Sequence, residues 1–317
     1  MIFRELDELV DAHQSVTTMV WVDGERVHTN FSKGADRPWR VYSMTKSIVS
    51  LVTGIAQDEG LINLDDHVSR YVPEWASGES SEVTIRHLLT MTSGRTWTPQ
   101  LDDEMVSLAD NQSVFACAVG QSGKAGGVWQ YDNMAAQVLE PVLTAALGRD
   151  IEAFARERLF EPLGLSTISW ERDRSHNLLT YAGITASGAD VGALGQLVLN
   201  QGVANGRQLV PSAFLAEATG VGSAINPAYG FLWWINVDGY VYDGGRAVGL
   251  DHDDVPRNGR LVPGAPADTI WALGWGSQMM TIIPSLGVVA LRLGRRPRYP
   301  EDFTLEAFTN AVLAGVA

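Results

Sequence analysis

The stretch Ser43-Met44-Thr45-Lys46 opens a long apolar segment of the chain. The spacing of the apolar residues that follow predicts a helix over residues 43–59, and Gly60 is its expected stop signal. Residues three apart share a face of a helix, so the Ser43 hydroxyl and the Lys46 amine are expected to lie side by side. Serine is a weak nucleophile at neutral pH unless a neighbouring base takes its proton. The stretch therefore predicts a helix that carries a nucleophile with its own base.

A serine three residues before a lysine is common, and it usually means a helix cap beside a solvated side chain. Here the chain has only three lysines, Lys33, Lys46 and Lys124, and only Lys46 has this serine partner. The predicted helix start also favours chemistry, because unpaired N–H groups and the positive end of the dipole attract developing negative charge. The pattern thus favours a catalytic serine in an acyl-transfer enzyme.

The composition limits the classes of partner. The 317 residues can bury a sizeable core, as one large domain or two intergrown ones, and the net charge of −14 argues against nucleic acid or an anionic membrane surface. The single cysteine, Cys117, lies in an apolar stretch and is expected to be a buried structural thiol. Residues 1–10 lack the features of a signal peptide and no segment has transmembrane length, so we expect a cytoplasmic protein. No oligomeric state is indicated.

The order of the predicted elements indicates an α/β (α+β) fold with a mainly antiparallel central sheet. Helices at both ends are expected to flank this sheet, and a mostly helical subdomain is inserted into it. The sheet domain is predicted to be discontinuous, over residues 1–60 and 184–317. The helical subdomain is predicted to cover residues 61–183, and the active site is expected in the cleft between the two. The predicted helices are residues 1–14, 85–91, 133–147, 151–159, 189–200 and 301–316, and the predicted strands are a hairpin over 17–31 and segments 230–237, 240–242, 269–273, 278–283 and 288–293.

A second motif, Tyr131-Asp132-Asn133, begins the helix predicted over residues 133–147. An acyl-transfer enzyme needs a group that shuttles a proton to the leaving group, and a tyrosine at a helix start can enter a cleft. A tyrosine packed at a helix start, with Asn133 as its cap, is the structural alternative. Beside the Ser-x-x-Lys pair, the catalytic interpretation is favoured.

A third motif, Gly274-Trp275-Gly276-Ser277-Gln278, lies between two predicted strands. Glycine there permits a close backbone approach, and an N–H group at the strand edge can point at a carbonyl oxygen bound over Ser43. A simple bulge or bend is the alternative for such a glycine-rich strand entry.

Several other features carry less weight. Of the tryptophans, Trp275 is the one expected to contact substrate, and most of the others are expected in the core. His252 within Asp251-His252-Asp253-Asp254 is expected in a solvated acidic loop, so neither a metal nor another cofactor is predicted. The loops at 94–100 and 244–267 have the length of lids, although exposed decoration is the alternative.

Taken in order, these motifs resemble those of the serine β-lactamase and penicillin-binding protein superfamily. The similarity is to its class C β-lactamase branch, which includes D-alanyl-D-alanine carboxypeptidases, esterases and 6-aminohexanoate-dimer hydrolases. Further family-like stretches are residues 58–66, 83–94 and 185–190, and the similarity runs from about residue 15 to residue 295. The resemblance implies a β-lactamase/transpeptidase-like fold.

The resemblance also implies roles for the motif residues. Ser43 corresponds to the acylated nucleophile, Lys46 to its proton acceptor, and Tyr131 to an assisting base that then protonates the leaving group. Asn133 is expected to hydrogen-bond Lys46 or the substrate amide. The oxyanion hole is expected to use the N–H of Ser43 and that of Gln278.

One departure from the family pattern bears on the substrate. Where β-lactamases and many transpeptidases carry Lys-Thr-Gly, this chain has Trp275-Gly276-Ser277, without the cation and hydroxyl that hold a substrate carboxylate. We expect a serine hydrolase that forms an acyl-enzyme on Ser43 and cleaves a small-molecule ester or small amide, with weak or no β-lactamase activity. A D-amino-acid peptidase, a β-lactamase-type amidase or an acyltransferase would use the same residues, and a non-catalytic binding or sensor protein is the alternative of another class.

Two other hydrolase classes are disfavoured. The chain has no Gly-x-Ser-x-Gly elbow of a Ser-His-Asp hydrolase and no His-Glu-x-x-His of a zinc hydrolase.

Overall fold

A six-stranded antiparallel sheet forms the centre of the protein, in a computed structural model that describes residues 1–242 and 256–317. The strands are β1 Ser15–Val22, β2 Glu25–Phe31, β3 Trp39–Arg40, β4 Ser169–Trp170, β5 Ile184–Ala186, β6 Val203–Ala204, β7 Arg207–Gln208, β8 Trp234–Ile235, β9 Gly239–Val241, β10 Arg257–Gly259, β11 Ile270–Gly274, β12 Gln278–Ile283 and β13 Val288–Gly294. The strand order in the central sheet is β2-β1-β13-β12-β11-β8, so the first hairpin of the chain joins the last one at the middle of the sheet.

Helices cover both faces of this sheet. The α-helices are α1 Arg4–Ala12, α2 Met44–Asp58, α3 Ile85–Leu89, α4 Pro99–Ser107, α5 Gln112–Ala118, α6 Asn133–Leu147, α7 Ile151–Ala155, α8 Gly188–Leu199, α9 Ser212–Ala218 and α10 Leu305–Val316. Helix α8 packs against β13, β12 and β1, while α1 and α10 pack together and α10 contacts the opposite face through a Trp271 to Thr309 hydrogen bond. Side chains alternate between the two faces of a strand, so β12 and β13, with both faces covered, are buried along their whole length.

Close approach between α8 and the sheet depends on glycine. A side chain at Gly192 would meet the Trp21 ring at 2.3 Å, and one at Gly195 would meet Val289 at 2.6 Å. Two glycines on one face of the helix therefore let it lie directly on the large side chains of β1 and β13.

Helix α2 lies at the centre of the molecule, and each residue from Met44 to Ala56 is buried. It contacts β11 and β12 of the sheet, α6 of the helical region and α9. A short sheet of β3, β5 and β4 lies at its beginning. There Val41 N donates to Ile184 O at 2.9 Å, and Ile184 N donates to Thr45 Oγ1 at 3.1 Å. These bonds bring the segment before β5 to the first turn of α2.

The fold class predicted from the sequence is confirmed, with an antiparallel sheet and helices at both ends of the chain around it. The predicted hairpin, the Ser43 helix and the helix over residues 133–147 are present within a residue or two of their expected bounds. The region 61–183 contains α3 to α7 and one short strand, β4. Its treatment as a separate subdomain stays a prediction.

Some elements differ from the prediction. Of the strand expected over residues 230–237, only Trp234–Ile235 pairs with the sheet, because Leu232 has a left-handed φ of 64° and its N–H bonds Leu89 O instead. The last helix begins at Leu305, after a 3₁₀ turn at Pro300–Asp302, rather than at residue 301. Helices α4, α5 and α9 were not predicted. Within the described ranges, no helix combines the length and the apolar character needed to cross a membrane.

Candidate active site

Ser43 stands immediately before the first residue of α2, half-buried and at the end of a strained turn. The preceding residue, Tyr42, has a left-handed φ of 49°, which side-chain-bearing residues seldom adopt. This turn places Ser43 at the positive end of a 15-residue helix, where unpaired N–H groups are available to an anion. Strained backbone of this kind is often found at functional sites.

Lys46 is buried, with 1% of its surface exposed, and its amine is held by three oxygen atoms. Nζ lies 3.0 Å from Ser43 Oγ, 2.7 Å from Asn133 Oδ1 and 2.8 Å from Tyr181 O. The three acceptors come from α2, α6 and the segment before β5. The structure thus brings Ser43, Lys46 and Asn133 together, although Asn133 is distant from the other two in the sequence.

The three contacts suit both protonation states of the amine. An ammonium group donates one N–H to each oxygen. A neutral amine keeps two N–H donors for Asn133 Oδ1 and Tyr181 O, and its lone pair is then left for the O–H of Ser43. Two fixed acceptors therefore orient the lone pair toward the serine proton, which is the geometry that a general base requires.

Tyr131 lies beside the same amine. The centre of its ring is 5.0 Å from Lys46 Nζ, and only 5% of the surface of Tyr131 is exposed. The ring stacks on Trp234 at 5.8 Å and meets the edge of Tyr229 at 6.2 Å. These two rings, together with Trp129, form an aromatic cluster that fixes the orientation of Tyr131.

Asn133 connects the amine to an acidic residue. Its Oδ1 accepts from Lys46, and its Nδ2 donates to Asp102 Oδ2 at 2.8 Å. Asp102 lies on α4, which begins at Pro99, within the stretch 94–100 that was predicted as a loop. The Asp102 carboxyl group is thus connected to the Lys46 amine through the Asn133 side chain and two hydrogen bonds.

The third motif forms the turn between β11 and β12. Gly274 approaches the turn before Ser43 so closely that a Cβ atom on it would lie 2.1 Å from Val41 O. Only glycine fits this contact, because the obstructing atom belongs to the main chain. The beginning of the turn, at Gly274 and Trp275, therefore lies beside the turn that precedes Ser43.

The turn is held from inside the sheet by two buried polar side chains. Gln278 Nε2 donates to Trp275 O at 3.1 Å and Gly276 O at 3.0 Å, and Arg292 Nη1 donates to Gly276 O at 2.8 Å and Ser277 O at 3.1 Å. Burial lowers the pKa of Arg292 to about 9. Ser277 is buried and has a left-handed φ of 61°, so these bonds stabilise a turn that its own sequence does not favour.

Aromatic and basic side chains form the rim of the site. Trp275 is 43% exposed and contacts Tyr42 edge to face at 5.4 Å between ring centres. The Arg296 guanidinium lies 5.5 Å from the Trp275 ring, and that of Arg40 lies 5.3 Å from the Tyr42 ring. The rim therefore offers a flat aromatic surface with adjacent cations.

The sequence did not identify several residues of this site. Tyr181 contributes a main-chain carbonyl, which any residue could supply. Asp102 lies on a helix that was not predicted, and Arg292 lies in a strand where an arginine has no recognisable motif. The strained φ of Tyr42 has no signal in the sequence either.

The remaining sequence predictions concern peripheral features. Trp129, Trp170, Trp233, Trp234 and Trp271 are buried, as expected for core residues. His252 with its acidic neighbours, and residues 244–255 of the loop 244–267, lie outside the described residues. Among the residues that are described, no cluster of potential metal ligands occurs.

Asp132 is a buried acid between Tyr131 and Asn133. Its Oδ1 accepts a hydrogen bond from Met134 N at 2.8 Å and so caps α6. Burial raises the pKa of Asp132 to about 7, with a further contribution from Asp102, while main-chain hydrogen bonds and Arg95 oppose the shift.

Fold and site together define a hydrolase of the β-lactamase superfamily, built around a serine and a buried lysine. The chain belongs to the β-lactamase family, because the family profile of that name matches residues 3–314.

Individual relatives are distant. An uncharacterised protein of Alkalihalophilus pseudofirmus is 22% identical over 93% of this chain and 84% of its own length. Esterase EstB of Burkholderia gladioli is 32% identical over 41% of this chain and 38% of its own length. A Bacillus anthracis protein assigned as a 6-aminohexanoate-dimer hydrolase superposes with a TM-score of 0.80 at 19% identity, over 98% of this chain and 81% of that one. The structural likeness confirms the fold.

The contact at Gly274 predicts the effect of one added methyl group. Gly274→Ala is expected to lower kcat at least tenfold, because the Cβ atom would displace either the Val41 carbonyl or the turn at Trp275. The control is Gly120→Ala, since a Cβ at Gly120 has nothing within 4 Å. Steady-state kinetics with circular dichroism checks this. Equal kcat values for both variants would contradict it.

The raised pKa of Asp132 predicts a pH-dependent stability. Between about pH 4 and pH 7 the folded state keeps a proton on Asp132 that the unfolded state releases. As the pH rises through this range, the contribution of Asp132 to the free energy of unfolding falls by about 1.4 kcal/mol per pH unit. In Asp132→Asn the cap remains but this titration is lost. Urea unfolding from pH 5 to 8 should show a shallower decline for Asp132→Asn than for the wild type. The exposed-site control, Asp103→Asn, should follow the wild type, and parallel profiles for all three proteins would refute the prediction.

Proposed function

We propose that this protein is a serine hydrolase that cleaves a small-molecule ester or small amide through a covalent acyl-enzyme on Ser43. The observation that carries the proposal is the placement of Lys46 Nζ, 3.0 Å from Ser43 Oγ and hydrogen-bonded to two further oxygens. A buried lysine used only for structure would have no need of a half-exposed serine hydroxyl as its third partner.

In the first half-reaction, the neutral Lys46 amine takes the proton of Ser43, and Oγ attacks the substrate carbonyl carbon. The carbonyl electron pair moves to its oxygen and forms a tetrahedral oxyanion. When the carbonyl re-forms, the bond to the alcohol or amine breaks, and that leaving group takes a proton from the Lys46 ammonium or from Tyr131. Acyl-Ser43 remains.

In the second half-reaction, water replaces the leaving group. The base removes one proton from water, the hydroxide oxygen attacks the acyl carbon, and the Ser43 oxygen leaves and regains a proton. The products are a carboxylic acid and the free enzyme. Asn133 and Tyr181 O hold the amine in place during both steps.

The oxyanion is stabilised by N–H groups at the start of α2 and on the β11–β12 turn. Ser43 N lies at the positive end of α2. The sequence predicted Gln278 N as the second donor. Trp275 N is a competing candidate, and the contact of Gly274 with Val41 favours it, because this contact brings the beginning of the turn to Ser43. A donor of this kind contributes about 3 kcal/mol to transition-state stabilisation.

The substrate class is inferred from the third motif. Trp275-Gly276-Ser277 supplies a flat aromatic surface where β-lactamases have a lysine and a hydroxyl, so a substrate with an apolar acyl or alcohol group is favoured. The partial match to an esterase supports this choice. A peptidase, an amidase or an acyltransferase would differ in the pocket rather than in the catalytic group.

The substrate class can be tested with three reagents: p-nitrophenyl esters of graded acyl length, nitrocefin and a fluorophosphonate. We expect ester turnover with little nitrocefin hydrolysis and a fluorophosphonate adduct on Ser43, seen by peptide mass spectrometry. Ser43→Ala should abolish both turnover and adduct. Esterase activity that survives in Ser43→Ala would disprove the proposal, and an adduct without turnover would indicate the binding or sensor alternative.

The acid–base roles give a further expectation. Lys46→Ala and Tyr131→Phe should each lower kcat by about 10²- to 10⁴-fold, because each removes a group that moves a proton. Lys33→Ala is the control, since Lys33 is exposed on a turn. Kinetics would be measured beside circular dichroism. If both variants keep more than a tenth of the wild-type kcat, the proposed roles are wrong.

A further inference from the structure

A second cleft, of about 600 Å³, lies in the helical region. It is bounded by the segment that carries Tyr71 and Glu74, by α5 and by the second half of α6. This volume is in the range of small-molecule sites. Its position on α6 separates it from the active site, because Glu140 is seven residues, or about 10 Å, along the helix from Asn133.

The cleft has a buried carboxylate in its wall. Glu140 is only 7% exposed, and its two oxygens accept hydrogen bonds from the hydroxyl groups of Ser113 at 2.7 Å and Thr144 at 3.0 Å. Neither donor carries a charge. Burial of a carboxylate is costly when no cation contacts it, and burial accordingly raises the pKa of Glu140, while the more distant charge of Arg172 opposes this shift.

The wall around Glu140 is preorganised. Gln137 Nε2 donates to Ser113 Oγ at 3.0 Å and to Leu178 O at 2.8 Å, and its Oε1 accepts from Thr180 N at 3.1 Å. The Ser113 oxygen therefore receives a hydrogen bond from a fixed amide, and its own proton is directed to Glu140. A fixed acceptor of this kind favours binding, because little ordering is needed when a ligand arrives.

The lining of the cleft is acidic and apolar. Among the described residues that line it there is no lysine, arginine or histidine, while a second carboxylate, Glu74, lies at its exposed rim. Val114, Pro141 and Ala145 supply apolar contact, and the Tyr71 side chain adds an aromatic group. Charge complementarity thus favours a positive ligand, and the apolar lining favours one with a hydrocarbon body.

We propose that this cleft is a binding site for a small organic ammonium ion, whose charged group contacts Glu140 and whose apolar body contacts Val114, Pro141 and Ala145. The ammonium places a cation in direct contact with the Glu140 carboxylate, and the rim carboxylate of Glu74 attracts it. The site is independent of the ester or amide chemistry at Ser43.

The test measures binding of benzylamine, with benzyl alcohol as its uncharged counterpart, by calorimetry and saturation-transfer NMR at pH 7.5. Ser43→Ala protein is used as the background so that the active site cannot turn over. We expect saturable benzylamine binding at least tenfold tighter than that of benzyl alcohol. Equal affinities, or no saturable binding of benzylamine, would overturn the proposal.

Two variants locate the binding. Glu140→Gln should weaken benzylamine at least tenfold and leave benzyl alcohol unchanged. Ala145→Trp, at an exposed position on the cleft, should block both ligands without removing a buried polar group, so it serves if Glu140→Gln fails to fold. The control Glu157→Gln removes a carboxylate away from the cleft and should bind like the background protein. Benzylamine affinity that is unchanged in Ala145→Trp would refute the site.

Discussion

The buried amine of Lys46 is the constraint around which this molecule is organised. A lysine removed from water must have its N–H groups satisfied, and the protein meets this with oxygens from three separate segments. Helix α2 brings Ser43, helix α6 brings Asn133, and the segment before β5 brings the Tyr181 carbonyl. A fault in the packing of any of these segments would therefore disturb the serine as well, since all of them meet at one nitrogen atom.

The central sheet also fixes the geometry of this site, through the turn between β11 and β12. Gly274 lets the β11–β12 turn approach the Val41 carbonyl, and the turn keeps this position because Gln278 and Arg292 hold its carbonyl groups from within. Arg292 is itself a buried cation without a carboxylate partner among the residues described, and it is satisfied by carbonyl and hydroxyl oxygens. Polar groups in the core thus serve to fix the geometry of one turn, at a position where a shift of 1 Å would matter for catalysis.

The helical region contains two polar networks that begin on the same helix. At the start of α6, Asn133 connects Lys46 to Asp102. One turn later Gln137, and two turns later Glu140, hydrogen-bond Ser113. The first network is directed to Ser43 and the second to the cleft beside α5. One helix therefore supports both the proposed chemistry and the proposed ammonium site.

Much of this arrangement could be predicted from the sequence. The apolar spacing after Ser43 predicted α2, and the alternating strands predicted the antiparallel sheet, because both signals are local and repeat along the chain. The motifs Ser43-x-x-Lys46 and Tyr131-x-Asn133 predicted the residues that meet at the site. Helix α4 was not predicted because its apolar pattern is weak, and Asp102, which lies on this helix, was therefore not identified as part of the site.

What the sequence by itself determined is the type of the main helices and strands and the family of the protein, since periodicity and short motifs are properties of neighbouring residues. The tertiary structure alone decided which main-chain atoms complete the site: the carbonyl of Tyr181, the close approach of Gly274 to Val41, and the left-handed turn at Tyr42. These features depend on distances between segments that are remote along the chain. Main-chain atoms are the same in every residue, so no local pattern could have identified them.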